Sequence, residues 1–128
     1  MNERQLIIAG SLNMVMSVGA GAFGAHGLKA VLSPAQLAIW QTAVSYHQLH
    51  ALGLILLGAL ASRLGPPAMA RVGNCMLAGM VVFSGSLYAL ALSGIKLLGA
   101  ITPLGGVALL AAWLMLAWAA YRSGQGAE

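Results

Sequence analysis

Gln41, Thr42, Ser45, Tyr46, His47, Gln48 and His50 crowd into ten positions of an otherwise apolar stretch, bringing carboxamides, hydroxyls and two imidazoles together. At 100° per residue, Gln41, Ser45 and Gln48 share one helix face and Thr42, Tyr46 and His50 a neighbouring one, so polarity covers most of the circumference. His26 adds a third histidine. Neutral imidazole is a common ligand for metals and haem, and positions three apart can converge on one ion. Such sites usually hold each ring with a carboxylate or carbonyl behind it, and the two acidic residues, Glu3 and Glu128, stand at the chain ends. The sequence therefore predicts no metal site and no cofactor. In Phe83-Ser84-Gly85-Ser86-Leu87-Tyr88, Ser84 and Tyr88 lie one turn apart, and a nucleophilic Ser84 would need His50 as its base. With no carboxylate to orient that imidazole, the expectation is no catalytic residue and no enzyme. Two readings are left. Either these groups hydrogen-bond helices to one another, or they orient a ligand or handle a proton, because ionisable groups inside a membrane are costly and tend to be functional.

The elements that must position these residues follow from composition. Of 128 residues, 60% are hydrophobic and only 6% charged, against roughly 25% charged for an average soluble protein. The mean hydropathy is +0.89. A chain this small cannot bury so much apolar surface in its own core, so lipid must be the solvent. A helical span takes about 20 mostly apolar residues, and four spans use most of the chain. They are predicted at about 6–25, 35–61, 68–93 and 100–121, in one transmembrane domain over residues 1–128. Ala20-Gly21-Ala22 faintly resembles a leader cleavage site, but the first run is long enough to span and reads as a transmembrane helix. Ser33-Pro34-Ala35-Gln36 carries an N-cap, a first-turn proline and a capping-box glutamine, which starts the second helix. Thr102 and Pro103 look like the same signal for the fourth. Trp40, Trp118 and Tyr121 read as interfacial anchors.

Small residues say where helices meet. Gly10, Asn13, Ser17, Ala20, Gly21 and Gly24 fall on one arc of the first helix, the spacing that lets helices approach closely in lipid. Gly21, Gly24, Gly85, Gly105 and Gly106 are accordingly read as packing positions. The Gly19 to Gly27 stretch lacks the lysine and hydroxyl residue of a phosphate loop, and a single Cys75 cannot close a disulfide within the chain. The net charge is +4, yet its basic residues are scattered singly, so no nucleic-acid surface is expected. Arg4, Arg63, Arg71 and Arg122 fall on one side of a four-span topology, with Lys29 and Lys96 on the other. The imbalance places both termini in the cytoplasm.

GAFGAHGL at Gly21 to Leu28, YHQLHAL at Tyr46 to Leu52, FSGSLY at Phe83 to Tyr88 and GAITPLGG at Gly99 to Gly106, in that order on four spans, resemble the YgdD-like family of small membrane proteins, a domain-of-unknown-function family. The resemblance implies an all-α, multi-pass protein of the bacterial inner membrane, with relatives in eukaryotes. It implies no activity, substrate or cofactor. His26, Tyr46, His50, Ser84, Ser86, Tyr88, Thr102 and Pro103 fall in its motifs, whereas His47 stands where a variable polar residue is expected.

The expectation is thus a four-helix transmembrane bundle whose second helix is the most enclosed. Its polar groups serve a structural or interaction role in the lipid bilayer, as a homo-oligomer or with another membrane protein. The alternative is a binding or permeation module for a small molecule, lipid or proton. In that case His26 and Thr102 would stand together at the mouth of a polar funnel, with Tyr46, His50, Ser84 and Tyr88 deeper.

Overall fold

A computed structural model describes residues 1–126; Glu128 lies outside the described residues. The chain forms four helices, α1 (Glu3–His26), α2 (Pro34–Leu64), α3 (Pro66–Ser93) and α4 (Leu97–Gln125), with a single 3₁₀ turn at Leu28–Ala30 between the first two. All four are long and apolar enough to cross a membrane. The protein is an all-α transmembrane bundle.

Local chemistry sets the helix starts. Asn2 caps α1 and Ser33 caps α2, each in a reciprocal capping box with a glutamine three residues on, Gln5 and Gln36. The α2–α3 connection is a single residue, Gly65, whose φ of 93° is open to glycine but strained for a side chain. Pro66 and Pro67 then begin α3, where missing amide protons cost least. Gly94, with φ of 71°, ends α3 in the left-handed conformation.

Here the structure corrects the reading of Thr102 and Pro103 as a helix start. Because Gly94 turns the chain at once, α4 begins at Leu97, and Pro103 lies inside the helix. Thr102 is not a cap. Its hydroxyl turns back to the Leu98 carbonyl, 3.2 Å away.

The helices pack chiefly in chain order, α1 on α2, α2 on α3 and α3 on α4, with slighter contacts of α1 with α3 and of α2 with α4, while α1 and α4 form the two outer edges of the layer. Leu6, Leu54, Leu57, Met69, Met76 and Met80 make a dry centre around α2 and α3. Half of the most apolar stretch of α2 is buried, against 17% for α1 and α4, so α2 is the most enclosed helix. One side of α2 nonetheless stays uncovered. Gln41, Thr42, Ser45, Tyr46, Leu49, Leu52 and Leu56 are exposed along it.

The glycines differ in what they permit. A Cβ on Gly24 would meet the Trp40 ring at 2.6 Å, and one on Gly105 would run into the Phe83 backbone. Gly21 is less tight, 3.3 Å from Val44, and Gly106 would make ordinary contact at 3.7 Å. Gly85 does not belong with them. Nothing lies within 4 Å of its Cβ position, because the neighbouring Ser84 and Ser86 carry the contacts of that turn instead.

Candidate functional site

Apart from Ser17, whose hydroxyl donates to the Met14 carbonyl within α1, the buried polar side chains form links between helices. His47 on α2 sits between Asn13 on α1 and Tyr88 on α3, with its Nε2 3.0 Å from Asn13 Oδ1 and its Nδ1 3.0 Å from Tyr88 Oη. A carboxamide oxygen only accepts, so Nε2 carries the proton and Nδ1 accepts from the tyrosine hydroxyl; the tautomer is assigned from its partners. Asn13 then donates to the Ala9 carbonyl at 2.8 Å. One turn further, His50 has the opposite tautomer. Its Nδ1 donates to the Tyr46 carbonyl at 2.7 Å, and its Nε2 accepts from Trp113 Nε1 on α4 at 3.0 Å.

Two serines complete the set. Ser84 Oγ donates to the Ala43 carbonyl at 2.9 Å, joining α3 to α2, and the hydroxyls of Ser86 and Thr102 share a 2.6 Å bond between α3 and α4. No buried side-chain nitrogen or oxygen among the described residues lacks a partner. Both nitrogens of both buried imidazoles are committed, which leaves no lone pair for a metal without breaking an interhelical bond. Ser84 gives its hydroxyl proton to the Ala43 carbonyl and makes no hydrogen bond to His50.

Two grooves open over these links. One, of about 550 Å³, lies between α1 and α3 above α2 and is lined by Asn13, Trp40, His47, Ser84 and Tyr88. The other, of about 430 Å³, lies between α2 and α4 above α3 and is lined by Tyr46, His50, Phe83, Pro103 and Trp113. The candidate residues are therefore divided rather than gathered. Tyr88 and Ser84 belong to the first groove, Tyr46 and His50 to the second, and Ser86 and Thr102 to the α3–α4 seam.

His26 joins none of them. It is exposed at the end of α1, on the edge of the layer away from α4, so the single funnel with His26 and Thr102 at its mouth does not form. The funnel required the end of α1 to stand beside the start of α4, and these two helices are at opposite edges of the packing order.

Four participants lie outside the site residues read from the sequence. Asn13 reads as one member of a small-residue arc, but its carboxamide is the acceptor for His47. Trp113 falls halfway along α4, too deep for an interfacial anchor, and that depth is the signal that its indole N–H has an internal partner. Trp40 is buried between helices; its Nε1 donates to the Ala20 carbonyl at 2.9 Å, and its ring packs on Tyr88 with centroids 4.6 Å apart. His47, taken as a variable position, is the centre of the three-helix link.

Residues 20–106 match the family described as "Protein of unknown function (DUF423)". The chain is 49% identical over 117 residues to the UPF0382 membrane protein YwdK of Bacillus subtilis, covering 91% of this chain and 95% of that one. It is also 49% identical over 110 residues to a UPF0382 membrane protein of Staphylococcus haemolyticus, covering 86% and 89%. No solved structure matches. The matched region runs from the end of α1 to the middle of α4 and so contains His47, His50, Ser84, Tyr88 and Thr102; with that match and relatives similar along nearly their whole length, the chain belongs to the DUF423 family of membrane proteins.

Proposed function

We propose that this is a non-catalytic interaction protein of the bacterial inner membrane that acts as a homo-oligomer, its internal polar links holding a rigid helix layer and the outer side of α2 meeting a second copy. The narrower YgdD-like affiliation read from the four sequence strings is consistent with this and adds no activity. The observation that carries the reading is the polarity of that outer side. At 1.5 Å per residue α2 is about 46 Å long, so a hydrocarbon core of about 30 Å must cover everything from about 16 to 30 Å along it. Ser45 and Tyr46 fall just inside the near edge of that zone, and Gln41 lies about 5 Å short of it. Thr42 returns its hydroxyl to the Ala38 carbonyl at 3.0 Å, while the side chains of Gln41 and Ser45 have no hydrogen-bond partner among the described residues. Acyl chains cannot supply one.

A second copy in the same membrane orientation presents the same amide and hydroxyl groups at the same depth. Ser45, Leu49, Leu52 and Leu56 recur at steps of four, three and four, the spacing of a left-handed helix pair. The alternative, a binding or permeation module lined jointly by His26, Tyr46, His50 and Tyr88, is less favoured, because Tyr46 and His50 line one groove, Tyr88 lines the other and His26 lines neither.

In a Cys75→Ser background, Leu49→Cys should cross-link between copies in lipid vesicles on mild oxidation, and Leu110→Cys on the exposed side of α4 should not. Replacing Gln41 and Ser45 together by leucine should weaken association about five-fold. Equal cross-linking at both positions, or a protein that stays monomeric in vesicles, would refute this reading.

A further inference from the structure

A third cavity, of about 530 Å³, lies where the start of α3 meets the end of α4, and it is built differently from the two grooves. Arg71 and Arg122 border it together with Ala68 and Trp118, and Val72 and Met115 form its apolar wall. We propose that this cleft is a binding site for an anionic phospholipid, with the phosphodiester between the two guanidinium groups and an acyl chain along Val72 and Met115.

Three features support that occupant. First, the two arginines come from different helices and converge on one hollow. Arg71 stands in the second turn of α3 and Arg122 in the last turn of α4. Arginine presents a planar fork of donors that matches phosphate oxygens. Second, α3 begins without a side-chain cap. Pro66 and Pro67 have no amide proton, the first intrahelical bond is Met69 N–H to Gly65 C=O at 3.1 Å, and the Ala68 amide that precedes it belongs to a residue lining the cleft. The positive end of the helix dipole therefore adds to the field of the arginines.

Third, the depth is that of a headgroup. Trp118 and Tyr121 are exposed side by side, ring centroids 5.7 Å apart, in the manner of interfacial aromatics. A basic hollow with an apolar wall at that depth matches an amphiphile with a negative head, whereas a zwitterionic lipid would bring its own cation against the arginines. The same side of the protein carries Arg4 and Arg63, which do not line the cleft and so separate a built site from a diffuse positive surface.

Native mass spectrometry of the full chain in detergent, titrated with phosphatidylglycerol, with phosphatidylcholine of the same chains, and with inorganic phosphate, tests the proposal. Phosphatidylglycerol should bind at least about five-fold more tightly than phosphatidylcholine. Arg71→Gln and Arg122→Gln should each remove about five-fold, and the double variant should bind both lipids alike, while Arg63→Gln and Arg4→Gln leave the preference unchanged. Met115→Trp, which fills the apolar wall and keeps both charges, should also lose the lipid while melting like the wild type; this keeps the test decisive if the double variant unfolds. Equal binding of the two lipids, an equal loss in Arg63→Gln, or unchanged binding in Met115→Trp overturns the proposal. So does displacement of the lipid by millimolar inorganic phosphate, which would make the ligand a free anion.

Discussion

Tyr88, His47 and Asn13 form a chain of hydrogen bonds with a fixed direction, hydroxyl to Nδ1 and Nε2–H to carboxamide oxygen, tying α3 to α2 and α2 to α1. The two bonds together join three helices through one imidazole. Interhelical hydrogen bonds in membranes average about 0.6 kcal/mol and reach about 1.7, so Tyr88→Phe should cost about 1 kcal/mol. His47→Ala strands two partners and leaves a cavity, and should cost about 2–4 kcal/mol. In a double-mutant cycle read by unfolding in mixed micelles, Tyr88→Phe should cost almost nothing once His47 is gone. Additive losses would mean that the two residues do not act through one bond. The residue types of this link were legible in the sequence as a cluster of polar groups needing partners. Which partner each found was not, because Asn13 and Tyr88 are 34 and 41 positions from His47.

Between α3 and α4 the decisive contact is backbone against backbone. Gly105 faces Phe83 so closely that an added methyl would run into main-chain atoms, which cannot turn aside as a side chain can. Gly105→Ala should therefore destabilise the protein by about 2 kcal/mol or more. At Gly85, where nothing stands within 4 Å, alanine should be neutral or stabilise by up to about 1 kcal/mol through helix propensity. Thermal unfolding of the two variants in detergent checks the pair, and equal effects would remove the packing assignment. Glycine content identified both as packing candidates. The way each helix is turned separates them: α4 sets Gly105 against Phe83, while α3 turns Ser84 towards α2 and Ser86 towards Thr102 and leaves Gly85 pointing outward. The Thr102-Pro103 signal misled for a related reason: the left-handed Gly94 turns the chain early, and the helix starts before its apparent cap.

For the whole molecule, four spans put the start of α1, Gly65 and the end of α4 on one side, with the Leu28–Ala30 turn and Lys96 on the other. The arginine-rich side is expected in the cytoplasm. In a Cys75→Ser background of intact cells, an impermeant maleimide should label Lys96→Cys and should reach Arg63→Cys only after the membrane is opened; the reverse pattern would invert the topology. The sequence by itself determined the solvent, the four helices, the cap at Ser33 and the polarity of α2, because each of these depends on composition or on residues within one or two turns. Tertiary structure alone decided that the helices form an open layer rather than a closed ring. It thereby sent His47 and His50 to different grooves, left His26 apart from Thr102, and brought Arg71 and Arg122 to one cleft. Neighbouring helices in lipid are chosen by shape and hydrogen bonding between distant residues, and no periodicity along a single helix records which neighbour it will meet.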